Sequence, residues 1–305
     1  MLSYYSILIE KERLFMYVYN MLGNINANFS DINKFINIYN KVKNINDNEI
    51  LFDFRNTGWL SGEMVALFAA ICFKLEKDHK IFISCSNNVT EIMQGNNFSK
   101  IVNNMESGKT KDTAILFRDF SNELNEKKLD CFDLYIKDEL NQKLLLSKSE
   151  VDYIIAYLSE IFINARTHGK TNNIFCCGQK YPKMNKVKIM LVDAGVGIPY
   201  NVRNGIAMGL SDVECIIWSL KKGNSTKVDA GGLGLADICE FIRNHNGNIS
   251  IFSLNGQYDY REEIEINSDN KFEGTIISLE FDYSMISNAD KLLLTKRKKD
   301  FDIKF

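Results

Sequence analysis

The residues that build metal centres are few in this sequence. Its three histidines, His79, His168 and His245, lie far apart, and the seven cysteines (Cys72, Cys85, Cys131, Cys176, Cys177, Cys215 and Cys239) contain no C-x-x-C spacing of the kind that gathers zinc. Buried, reduced thiols are the expectation. If NIFCCGQ is a strand, Cys176 and Cys177 point to opposite faces, which argues against joint ligation. Prolines number only two, and with the abundance of Asn, Ile and Lys this describes a base composition, not a function.

Long apolar runs are missing too. The longest, Met64 to Phe73, is about half of what a membrane-spanning helix needs. The N-terminus, MLSYYSILIEKERLF, has acidic residues where a signal peptide would have a basic start and a small-residue cleavage site. Nor is there an excess of charge, since a formal −2 gives no global attraction to nucleic acid or anionic lipid. A cytoplasmic protein without membrane contact is expected, and 45% hydrophobic with 25% charged residues is globular composition. At 305 residues the chain has room for two domains.

Residues 1–45 read as two helices, from the periodicity of ILIEKERLFMYVYNML and SDINKFINIYNKV, with Ser30 as a candidate N-cap. From there to about 120, strands and helices alternate: EILFDF, then the apolar helix LSGEMVALFAAICFKLEKD, KIFISC, the short helix NVTEIMQGN, and TAILFRDF. Such alternation predicts an α/β layer over 46–120. A helical connector follows over 121–146, and Ser147 with Glu150 makes a capping box for the next helix. Residues 147–283 then read as an α+β sandwich: that helix, the strand KVKIMLVD, the helices SDVECIIWSLKKG and LADICEFIRN, and the strands NISIFSL, EEIEI and GTIISLEF. The remainder, 284–305, is a basic tail of the kind that is usually a solvated end.

Three stretches carry candidate chemistry. In SEIFINARTHG, Val151, Ile154, Ile155, Leu158, Phe162 and Ala165 form one apolar stripe, while Glu160 and Asn164 stack on the opposite side. A solvated face would explain that pair as well. VDAGVG ends an apolar strand with a carboxylate, Asp193, placed to accept from an exocyclic base amine, and Gly195 and Gly197 leave room for a flat ring. A tight turn uses the same residues. GGLGLADI opens a helix, so free backbone N–H groups would face an anion there, although no Walker GK[ST] follows.

Taken in order, the Glu/Asn helix, the DxGxG strand end, the GxGL loop and a strand beginning Gly274-Thr275 resemble the GHKL superfamily of ATP-binding domains over about 147–282. The wording EIFINARTHG is most similar to the anti-sigma-factor serine kinases, whose helix reads ExxxNAxxHG, and His168 fits that pattern. What the resemblance implies is a Bergerat-type ATP site. Asn164 would coordinate Mg²⁺, a cation that takes hard oxygen ligands. Glu160 would be the general base. Asp193 would bind adenine, lined by Gly195 and Gly197, and Thr275 would touch the base. Gly232, Leu233 and Gly234 would close over the phosphates, and Lys227 would reach the γ-phosphate.

ILFDFRNTGWLSGEMVALFAAI resembles the STAS fold of anti-sigma-factor antagonists, the usual substrates and partners of those kinases. Thr57 before Gly58 matches the place of the phosphorylated hydroxyl in a strand-to-helix turn, but RNTG departs from the usual DSSG, and a turn that caps the helix would use the same residues. The whole chain is similar to bacterial STAS-like proteins fused to a GHKL domain. The implied function is a Mg-ATP-dependent ATPase or Ser/Thr kinase acting on a STAS-type partner or on its own STAS-like domain. The alternative is a catalytically silent, nucleotide-gated switch. A homodimer is one arrangement open to either.

Overall fold

The computed structural model describes residues 16–98, 108–121, 128–144, 146–205, 209–224 and 234–286. Among them the architecture is mixed α/β, with eight α-helices and three sheets. A parallel sheet in the order β1-β3-β5 is built from β1 (Met16–Asn20), β3 (Glu49–Phe54) and β5 (Lys80–Cys85). Beside it, β2 (Gly23–Ile25) pairs with β4 (Thr57–Leu60). Three helices accompany these strands: α1 (Phe29–Val42), α2 (Met64–Leu75) and α3 (Asn87–Gly95).

The second sheet has the order β6-β7-β8-β10-β9 and is antiparallel throughout. Its strands are β6 (Ala114–Asp119), β7 (Ile174–Tyr181), β8 (Lys186–Asp193), β9 (Asn248–Asp259) and β10 (Ile264–Asp282). The remaining helices are α4 (Lys128–Lys143), α5 (Lys148–Thr167), α6 (Ile198–Gly205), α7 (Asp212–Ser219) and α8 (Leu235–Asn244).

Both faces of this sheet are covered. Ile189, Leu191, Ile251 and Ile277 pack under Ile154, Leu158 and Phe162 of α5 and Ile238 and Ile242 of α8. On the other face, Phe175, Met190, Val192, Phe252 and Ile276 share a core with Phe35 of α1, Phe68 of α2 and Phe52 and Phe54 of β3. Helix α2 therefore lies between two sheets, and a helix in that position must be apolar all round, as MVALFAAI is. The N-terminal and C-terminal units are joined through one continuous core.

Several sequence expectations are corrected. ILIEKERLFMYVYNML is not helical in its described part: Met16–Asn20 is β1, paired in parallel with β3, and residues 7–15 lie outside the described residues. Tyr-Val-Tyr is rich in aromatic and β-branched side chains, and a neighbouring strand supplies the backbone partners that decide the outcome. TAILFRDF belongs to the second sheet, where β6 pairs with β7. The cap of α1 is Asn28 instead of Ser30, its Oδ1 accepting the Asp31 N–H at 2.8 Å. EEIEI and GTIISLEF are parts of one long strand, β10, interrupted by register shifts between Asn267 and Thr275.

Candidate functional site

Strand β8 ends at Asp193, which is paired with Ile174 on one side and Thr275 on the other. The carboxylate is 2% exposed. Burial pushes its pKa up to about 6, against the opposing pull of the Gly195 N–H, the Thr275 hydroxyl and the Lys74 ammonium. The Gly195 N–H donates to Asp193 Oδ1 at 2.9 Å, closing the turn that the DAGVG wording predicts.

That turn lies backbone to backbone against the end of α5. Val196 N–H donates to the Gly169 carbonyl at 3.0 Å, and a Cβ on Gly195 would come within 2.1 Å of the same oxygen. Gly195 is therefore required by close approach. Gly197 has φ +84°, which L side chains rarely adopt, and the chain there turns directly into α6. Two side chains that the sequence reading passed over hold the turn in place. Ser253, fully buried on β9, accepts the Ile198 N–H at 2.9 Å and donates to the Gly274 carbonyl at 2.9 Å. Asn201 donates to the carbonyls of His168 at 2.7 Å and Gly197 at 3.1 Å. The signal for Ser253 is a hydroxyl, one of two with Ser250, set among the apolar residues of NISIFSL, where a buried polar group needs partners.

Glu160 and Asn164 sit on the last two turns of α5, opened by the expected capping box, in which Ser147 N–H donates to Glu150 Oε2 at 2.6 Å. Their side of the helix is not bare to solvent, for Glu160 is 8% exposed and Asn164 is half-buried. The Asn164 carbonyl accepts from His168 and Gly169 N–H groups, placing the asparagine one turn from the contact with the Asp193 loop.

Gly234 is the N-cap of α8, and its N–H donates to the Asp237 carboxylate at 3.1 Å. An acid is favoured at that helix end, so an incoming anion meets a donor already engaged. Lys227, Gly232 and Leu233 lie outside the described residues, as does the basic tail from 287 onward. Thr57 is not in a strand-to-helix turn: it opens β4, is 1% exposed, and its hydroxyl donates to the Met21 carbonyl at 2.9 Å. Phosphoryl transfer to that oxygen would first have to break its bond to Met21 and bring it out of the core.

All seven cysteines are free thiols, with Cys176 and Cys177 buried in different cores as their adjacency on a strand implies. Among the described residues there is no cluster of three or more His, Cys, Asp or Glu side chains able to hold a metal, and no helix long and apolar enough to cross a membrane. No protein-family model matches the chain, and no curated protein is significantly similar to it.

Proposed function

We propose that residues 147–283, with β6 added to their sheet, form a GHKL-type domain that binds Mg-ATP, regulated through a STAS-like N-terminal unit built on the β1-β3-β5 sheet, in a cytoplasmic bacterial protein that hydrolyses ATP or phosphorylates Ser/Thr on a STAS-type partner or on itself. The observation that supports this most is a convergence. The DAGVG turn (Asp193, Gly195, Gly197) and the distant Thr275 meet at one end of β8 beside the helix end that carries Glu160 and Asn164.

The residues fit the ligand chemically. A buried carboxylate suits a base with an exocyclic amine, because a charged acceptor makes the stronger hydrogen bond, while the missing Cβ atoms of Gly195 and Gly197 let the Gly169, Gly274 and Ser253 segments pack close instead of making room for the ring. Asn164 offers the hard oxygen that magnesium takes and would help to hold the ion, which would supply charge neutralisation during phosphoryl transfer. Glu160, one turn earlier, would orient a water or hydroxyl and take its proton. Lys227, Gly232 and Leu233 would supply the phosphate side, joined by Gly234 once its N–H leaves the Asp237 carboxylate.

The silent-switch alternative is favoured by one observation: the Thr57 hydroxyl is buried and engaged with Met21, so no acceptor is presented there. Incubation with γ-labelled ATP and Mg²⁺, followed by separation of free phosphate from labelled protein, decides between them. Free phosphate marks an ATPase, and label on protein marks a kinase. Retained nucleotide with neither marks the switch. No retained nucleotide overturns the proposal.

A further inference from the structure

The parallel sheet has two open edges, and they are not alike. Among the described residues nothing pairs with the outer side of β1 or of β5. Strand β5 opens on Lys80, whose side chain is 68% exposed, a charge of the kind that keeps strand edges apart. Strand β1 is MYVYN, with no charge, no proline and no glycine. The Met21 N–H donates to the Asp53 carbonyl at 2.8 Å, so Tyr17 and Tyr19, in phase with Met21, turn their backbone groups toward β3. Those of Met16, Val18 and Asn20 therefore point to the open edge. Tyr17 and Tyr19 pack their side chains against the shared core, which leaves Val18 on the outer face, 43% exposed. Leu22, just beyond the strand, is more exposed still.

We propose that β1 is a self-association edge, pairing antiparallel with β1 of a second copy of the chain about a two-fold axis at Val18. With Val18 opposite Val18 of the second copy, the two residues exchange N–H···O=C bonds through groups that have no partner among the described residues of one chain. This register pairs all five residues of the strand. Tyr-Val-Tyr reads the same in both directions, so Tyr17 lies opposite Tyr19 of the second copy, an aromatic cross-strand pair. Met16 lies opposite Asn20, and nowhere along the strand does a charge meet a like charge. The same patch serves both copies, as an isologous contact requires. The joined strands make one six-stranded sheet, β5-β3-β1 followed by β1-β3-β5 of the second copy, with Lys80 on both of its outer edges. The unguarded edge is thereby covered and the guarded one stays outside. None of this depends on the nucleotide reading.

The test is sedimentation velocity of the full chain without nucleotide, from about 1 to 100 µM, with circular dichroism of each variant as the check on folding. A strand-pair interface is small, so the wild type is expected to dimerise with a midpoint of about 10 µM. Val18→Lys sets two ammonium groups against each other on the axis, and Val18→Pro deletes an N–H that only the second copy uses. Both are expected to weaken dimerisation at least about tenfold. Met184→Ser, which removes an exposed side chain from the C-terminal unit, leaves it unchanged. Mild oxidation reads the register. The Cα atoms of residue 18 lie about 5.5 Å apart across the pair, within disulfide reach, whereas those of residue 20 lie about 14 Å apart. Val18→Cys is therefore expected to cross-link, and Asn20→Cys and the wild type are not. A wild type that stays monomeric at about 100 µM overturns the proposal. So does a dimer that survives Val18→Lys, because another surface then holds it, and so does a Val18→Cys chain that fails to cross-link. If Val18→Lys does not fold, the two cysteine variants decide.

Discussion

The Tyr181 hydroxyl donates to both oxygens of Glu63, at 3.1 and 3.0 Å, joining the end of β7 to the start of α2. Glu63 is fully buried. Its burial raises the pKa to about 7, more than the Lys188 ammonium and the Tyr181 hydroxyl offset. A titratable group is thus enclosed where the two units meet.

The sign of its effect on stability follows. The folded pKa lies above the ordinary value of 4.5, so the folded state holds the proton more tightly. The stabilisation is complete below about 4.5 and is lost as pH rises to about 7, a loss of the order of 3 kcal/mol. Glu63→Gln keeps an acceptor for Tyr181 and removes the titration. Thermal melts from pH 5 to 8 are expected to show a shallower decline in the variant, with the gain largest above pH 7. Parallel curves would contradict the assignment.

Asp193→Asn and Glu160→Ala separate binding from turnover. Losing the charged acceptor at 193 is expected to weaken nucleotide about 10- to 100-fold, as befits a charge-assisted hydrogen bond of about 1.5–3 kcal/mol. Glu160→Ala leaves affinity near the wild-type value and abolishes phosphate release or protein labelling. Calorimetry and labelled-ATP assays on both variants check this pairing, and wild-type turnover in both removes the roles assigned here.

Phe68 is at the centre of the N-terminal part of the shared core, with ring centroids 5.3 Å from Phe52, 5.2 Å from Phe54 and 6.0 Å from Phe98. Phe68→Ala is expected to cost about 3–5 kcal/mol. Since Phe175 and Val192 belong to the same core, the two units should unfold together. Differential scanning calorimetry is expected to give one transition, shifted down in the variant. Two separated transitions in the wild type would contradict a continuous core.

Gly195 and Gly234 respond differently to an added methyl group. A Cβ at 195 meets the Gly169 carbonyl oxygen at 2.1 Å, whereas at 234 the nearest atom is 3.9 Å away. Gly195→Ala is expected to cost about 2 kcal/mol or more and to distort the turn after Asp193. Gly234→Ala should cost less than about 1 kcal/mol. Denaturant midpoints of the two variants test the contrast.

Local patterns were legible where the chain itself sets the outcome. The stripe on α5, its capping box and the run into DAGVG depend on residues within a few positions of one another, and each is found. Pairing between distant segments was not legible. Nothing within MYVYN says that β3 will lie beside it, and nothing within AILFRD says which sheet it joins. The neighbours of Thr57 have the wording of a turn, but the partner that makes it a strand residue is Gly23, far back in the chain. Lys74 looks like the polar end of an apolar helix, and only the packing of that helix against β10 places its ammonium over the ring of Phe272.

Cys176 and Cys177 occupy successive positions on β7, one sealed under the helices α4 and α5, the other under α2, with Cys177 Sγ 3.2 Å from the Gly62 carbonyl. Burial pushes both thiols far toward the unreactive neutral form. A thiol reagent would therefore read two clocks from one strand. Modification of Cys176 times the lifting of the helical layer, and modification of Cys177 times the release of the N-terminal one.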